Sequence, residues 1–164
     1  MSQTDHYSLE PGHIFFSSGN HVIRTVLGSC VAVCLWDREL GYGAMNHFLY
    51  PRIFDRTRAT ARFGNVATLK LVTMMQGAGS SAACMTAQIY GGAFPEGARG
   101  HNVGVDNVEV ARRVLRKHAV RIVSEDVGGV LGRKILFDIQ TGHVAVLKVN
   151  QLRLGDWAGE VWGK

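Results

Sequence analysis

Hydrophobic and polar positions alternate or cluster over short lengths along most of the chain. Val22-Ile23-Arg24-Thr25-Val26-Leu27 carries the branched residues of a β-strand. Gly28-Ser29 interrupts it. Cys30-Val31-Ala32-Val33-Cys34-Leu35-Trp36 is apolar throughout and short, as expected of a strand covered on both faces. Asp37 to Gly41 reads as a turn, and Gly43 to Leu49 as the return strand, ended by Pro51. From Asn65 to Gln76 the period lengthens towards 3.6. Val66, Leu69, Val72 and Met75 or Gln76 share a face, and Gly77 can stop the helix. Thr86 to Tyr90 reads as a strand closed by Gly91-Gly92. A second helix is expected from about Asn107, its N-cap, to His118, with Val108, Ala111, Val114 and Leu115 buried. Arg121 to Ser124 reads as a strand. Lys134 to Ile139 and Val144 to Val149 read as a hairpin around Gln140-Thr141-Gly142-His143. Residues 1–13 are expected to be a loose arm, and 151–164 a tail. Two helices beside many strands in mixed order predict an α+β domain built in layers.

The chain has 164 residues, enough for one domain with a real core. Apolar residues make up 46% and charged residues 19%, a balance that disfavours disorder. Three cysteines without a Cys-x-x-Cys spacing argue against a disulfide framework or a cysteine-rich zinc site, and favour a reducing cytoplasm. The polar start shows no signal peptide, and no apolar run approaches membrane-spanning length, so no membrane insertion is expected. The seven histidines lack metal-ligand spacing. The net charge of +5 gathers partly in Arg112, Arg113, Arg116, Lys117 and Arg121, read first as a solvated helix face. No nucleic-acid module accompanies it, so no nucleic-acid partner is expected. Gly91-Gly92 to Gly104 is rich in glycine but contains no phosphate-loop motif, and reads as a structural turn.

The candidate chemistry lies in the first hairpin. A loop centred between Arg38 and Glu39 makes opposed residues carry position numbers that add to 77, and Cys30 and His47 satisfy this. Directly opposed side chains share a face, with Cβ atoms about 4.5–5.5 Å apart. A one-residue slip would separate them. An ordinary thiol is only about 3% thiolate at neutral pH, and an adjacent imidazole that accepts its proton raises that fraction. Gly28-Ser29 can bring backbone N–H groups near the thiol as an oxyanion hole. Thr25 can orient the imidazole, although a neutral hydroxyl stabilises imidazolium little. Cys34 and Cys84 read as ordinary cysteines. Tyr50, Phe54 and Phe63 could meet a protein substrate, with core packing the commoner fate of such rings.

The blocks Thr25-Val26-Leu27-Gly28-Ser29-Cys30-Val31-Ala32-Val33-Cys34 and Gly43-Ala44-Met45-Asn46-His47-Phe48-Leu49-Tyr50-Pro51 closely resemble the chemoreceptor glutamine deamidase family CheD. The likeness runs on through Arg62-Phe63-Gly64-Asn65, Gly91-Gly92-Ala93, Gly104 with Asn107, Asp126-Val127-Gly128-Gly129 and Gly132-Arg133. It spans roughly residues 20 to 150. Phe63-Gly64-Asn65 and Asp106 depart from the family's usual residues. The resemblance implies a single-domain α/β/β layered sandwich related to toxin deamidase domains. It implies hydrolysis of glutamine side-chain amides on methyl-accepting chemotaxis receptors, through a cysteine thioester. By position Cys30 is then the nucleophile, His47 the base and acid, and Thr25 the third member, with no cofactor or metal. The receptors are the implied substrate, and the phosphatase CheC a possible partner. Two alternatives remain at this point: a module that mainly docks CheC or receptors, and a thiol amidase acting on a small molecule.

Overall fold

The computed structural model describes residues 3–152. Its strands are β1 (Asp5–Ser8), β2 (Ile14–Ser17), β3 (His21–Leu27), β4 (Val31–Asp37), β5 (Tyr42–Asn46), β6 (Met85–Gly91), β7 (Arg121–Val127), β8 (Gly132–Asp138) and β9 (Val144–Val149). Its helices are α1 (Gly64–Gly77) and α2 (Val103–Lys117). β1, β3, β8 and β9 form a four-stranded sheet in that order, and β2, β5, β4, β6 and β7 a five-stranded one.

Alternation along β4 divides the interior in two. Val31, Val33 and Leu35 face the helices and pack with Phe48, Ala67, Leu71, Met75 and Leu115. Ala32 and Cys34 face the four-stranded sheet and pack with Ile23, Leu27, Ile135 and Phe137. Both faces of β4 are therefore apolar, as its sequence requires. The order of layers is helices, five-stranded sheet, four-stranded sheet, which is the expected α/β/β sandwich.

Four expectations are corrected. The arm expected to be loose contains β1, which pairs in parallel with β3, and Leu9 behind it is buried. β1 is an exposed edge strand of polar residues, so it carries no hydrophobic alternation to reveal it. The face of α1 is rotated: Gly64, Ala67, Thr68, Leu71, Val72 and Met75 are buried, whereas Leu69 is exposed. The helix is apolar on both sides, and close approach at Gly64 selects the face with small residues; a Cβ there would lie 2.5 Å from Phe48. Helix α2 starts earlier than expected. Its N-cap is Asn102, whose side chain accepts the Val105 N–H, while Asn107 lies inside the helix and is fully buried.

The fourth correction concerns the first hairpin. Its paired positions add to 79, not 77: Cys34 opposes Met45 and Asp37 opposes Tyr42. Asp37 is buried, and its Oδ1 accepts the N–H groups of Glu39 and Leu40 at 2.9 and 3.1 Å. Its other oxygen accepts the Ser80 hydroxyl. This side-chain cap holds a four-residue turn, Arg38 to Gly41, with Gly41 left-handed. The slip is two residues, so every side chain keeps its face.

The expected tail falls outside the described residues from position 153 onward. Leu152, the last described residue, packs beside Gly28 and Gly132.

Candidate active site

Thr25 lies between Ile23 and Leu27 on β3, on the side that faces the other sheet. Its hydroxyl therefore projects across the sandwich. There it meets the ring of His47, with 2.7 Å between Oγ1 and Nδ1. Thr25 Oγ1 also donates to the Leu9 carbonyl at 2.7 Å, and that carbonyl hydrogen-bonds His47 as well. A carbonyl can only accept. With the Thr25 hydrogen directed at Leu9, the imidazole must carry its own proton on Nδ1, and Nε2 is left as the basic nitrogen.

His47 follows β5, where the ladder changes. The Val33 N–H bonds the Asn46 side-chain oxygen at 2.8 Å. Pairing resumes with the bridge between Val31 and Phe48, again with numbers that add to 79. The His47 main chain is held on its other side by Gly12 and His13, at 2.7 and 3.2 Å. The continued register seats His47 across from Ala32. Cys30 is then one diagonal away on the same face, a relation in which backbones stand about 7–8 Å apart and longer side chains still meet. The direct opposition expected from the sequence is thus replaced by a diagonal one.

Cys30 is half-buried at the rim of the core between the sheets, and His47 and Thr25 are buried. Burial pushes the thiol up to about 11, against a weaker lowering by a bond to its own backbone. Burial also brings His47 down to about 3; the Leu9 bond opposes this, and His13 reinforces it slightly. Both shifts favour neutral groups. Burial at this site thus works against a thiolate–imidazolium pair. Acid should expose this arrangement. An unfolded chain binds a proton on this histidine near pH 6.5, whereas the folded protein refuses it until about pH 3. Stability should therefore fall as pH drops through that window, by up to about 1.4 kcal/mol per pH unit. Urea unfolding at pH 7 and pH 5 tests this: His47→Gln should show a shallower decline than the unaltered protein, and equal slopes would contradict it.

The turn before Cys30 is held from outside. The Gly28 carbonyl accepts the Ala93 N–H at 3.0 Å, and the Cys30 carbonyl accepts the Gly92 N–H at 2.9 Å. Gly91 has φ 108°, and a Cβ there would stand 2.2 Å from the Cys30 oxygen, so only glycine permits this approach. Among the described residues, the N–H groups of Ser29 and Cys30 make no backbone hydrogen bond. Buried Arg133 donates to the carbonyls of Gly91, Leu131 and Gly128 and pairs with Asp126 at 3.0 Å, fixing the loop on that side.

Two further groups come into the site. One is the Leu9 carbonyl, supplied by the segment read as a loose arm. The other is Asn107, whose amide nitrogen donates to the carbonyls of Ser29 and Leu49 at 2.9 and 3.0 Å. Only its polarity within an apolar helical face could have signalled it. Tyr50 and Phe54 are exposed rather than packed in the core, and Tyr50 rests against Phe63. Arg112 is tied to Glu125 by two hydrogen bonds, so it is no free member of the basic patch.

A half-buried thiol on the same sheet face as an imidazole oriented by hydrogen bonds has the make-up of a cysteine hydrolase. The family described as CheD chemotactic sensory transduction matches residues 52–148. A probable chemoreceptor glutamine deamidase CheD of Sulfurimonas denitrificans is 36% identical over 146 residues, covering 87% of this chain and 94% of the relative. One of Anaeromyxobacter dehalogenans, named CheD 1, is 43% identical over 136 residues, covering 82% and 79%. One of Trichlorobacter lovleyi is 36% identical over 140 residues, covering 84% and 87%. The chain belongs to the CheD family.

Proposed function

We propose that the protein deamidates glutamine side chains of methyl-accepting chemotaxis receptors, with Cys30 as nucleophile, His47 as base and acid, and Thr25 orienting the ring. The observation that carries this reading is the hydrogen-bonded set of Leu9, Thr25 and His47, which orients a buried imidazole in the strand ladder one diagonal from Cys30. The names of the relatives supply the substrate class.

In the first half-reaction His47 Nε2 takes the thiol proton as sulfur bonds to the carboxamide carbon. The oxygen becomes an oxyanion, and the N–H groups of the Gly28-Ser29-Cys30 turn are its proposed donors; one such donor is worth about 3–4 kcal/mol in a well-studied protease. Imidazolium then protonates the nitrogen, the C–N bond breaks and ammonia leaves a thioester. In the second half-reaction His47 takes a proton from water, hydroxide adds to the thioester, and the C–S bond breaks. The imidazolium returns its proton to the departing sulfur, so glutamate is released and the thiol is restored.

Thr25→Val should lower kcat about ten- to a hundredfold, the scale seen when a hydrogen-bond partner that orients a metal-bound imidazole is removed. Thr25→Ser, which keeps the oxygen, should stay within a few-fold. A valine variant as active as the serine variant would remove Thr25 from the mechanism. The reading itself is tested by ammonia release from receptor fragments against free glutamine. Release from fragments alone is expected, and equal release from both would favour a small-molecule amidase. The cytoplasm is the proposed location, in keeping with three free cysteines. CheC is a proposed partner, and pull-down with Cys30→Ala protein separates docking from chemistry.

A further inference from the structure

Past the Val31–Phe48 bridge no strand pairing joins the segment that carries Cys30 to the one that follows His47. What crosses the gap is one side chain of α2. Asn107 is fully buried, and its NH2 group donates to Ser29, the residue before Cys30, and to Leu49, two residues after His47. Both partners are carbonyls, so only the NH2 end can face them. The other end, Oδ1, is buried with no hydrogen-bond partner among the described residues. A buried acceptor left so is costly, and an apolar residue would avoid that cost. The position therefore requires the two donors.

Helix α2 is itself seated against the same turn. A Cβ at Gly104 would lie 2.3 Å from the Gly92 carbonyl oxygen, while the Gly92 N–H bonds the Cys30 carbonyl. Gly104 and Asn107 are three residues apart and share a helix face. The first lets the helix approach, and the second ties it to both strand ends. We propose that Asn107 is a positioning residue that sets the separation of the Cys30 and His47 segments, and so the geometry of proton transfer. The inference rests on the roles proposed above for those two residues.

The test uses the full chain in a Cys84→Ser background, so that the exposed thiol does not interfere. Deamidation of a receptor fragment gives kcat and KM. Iodoacetamide alkylation of Cys30 from pH 6 to 10 reports the thiol without any receptor. Val110→Ala, which truncates a buried residue of the same helix, serves as the structural control. Asn107→Ala should lower kcat about a hundredfold, the scale of an ångström's misplacement, with KM within about threefold. Its alkylation profile should fall onto that of His47→Gln, and the control should keep the unaltered profile. A kcat within threefold of the control, or an unaltered alkylation profile, overturns the proposal. If Asn107→Ala does not fold, Asn107→Asp is judged by the same criteria, since it keeps the shape but supplies one donor at most. Failure of both to fold also overturns the proposal, since Asn107 would then be a determinant of the fold. Unaltered protein that alkylates faster than His47→Gln but deamidates no receptor fragment defeats the deamidase reading and leaves the clamp standing.

Discussion

Cys30→Ala protein should release no measurable ammonia from receptor fragments, a loss of about 10⁴-fold or more. The size follows from the role: without sulfur there is no acyl intermediate, and water would have to attack an unactivated amide. The fold should survive, because Cys30 sits half-buried at the rim and its carbonyl bond to Gly92 is made by backbone. Circular dichroism and the unfolding midpoint check that point, and a coupled ammonia assay checks the loss. Wild-type rates from this variant would remove Cys30 as the nucleophile.

His47→Gln should lose about a thousandfold at neutral pH, within the range general bases contribute. Glutamine fills much of the ring's space but cannot take a proton. The pH dependence is more telling than the loss. With its base gone, the variant depends on thiol ionised by solvent, and burial holds that thiol near 11. Its rate should therefore climb about tenfold per pH unit towards that value, narrowing the deficit in alkaline solution. The unaltered protein has its base available above the low pKa of His47 and should be nearly flat over the same range. A variant with a flat profile at a reduced level would contradict the assignment, because the defect would then lie elsewhere than in proton removal.

Much of this arrangement was legible in the residues. β3 to β5 read correctly because branched and apolar runs are broken by Gly28-Ser29 and by a polar turn, and alternation then fixes faces. The register did not read correctly. Asp37 looks like any turn residue, and nothing in the sequence says that it is buried and caps its own loop. Cys30 and His47 keep to one face despite that error, because the slip was even. Leu9 was missed for a different reason. Its role belongs to a backbone carbonyl, which no side-chain pattern marks, on a segment whose strand is short and exposed. Asn107 was misread because asparagine ahead of an apolar run has the look of an N-cap, and Asn102 holds that position instead. Buried polar residues that bond to distant backbone are the part of a site a local pattern conveals least about, since their partners lie 78 and 58 positions away.

Mass spectrometry of receptor peptides recovered with and without the protein reads deamidation at each glutamine. Conversion of a carboxamide to a carboxylate adds about 1 Da, as hydrolysis of the acyl intermediate requires. That gain is expected at defined glutamines with unaltered protein and not with Cys30→Ala. Receptors that bind the protein yet show no gain at any glutamine would contradict it and leave only a docking role.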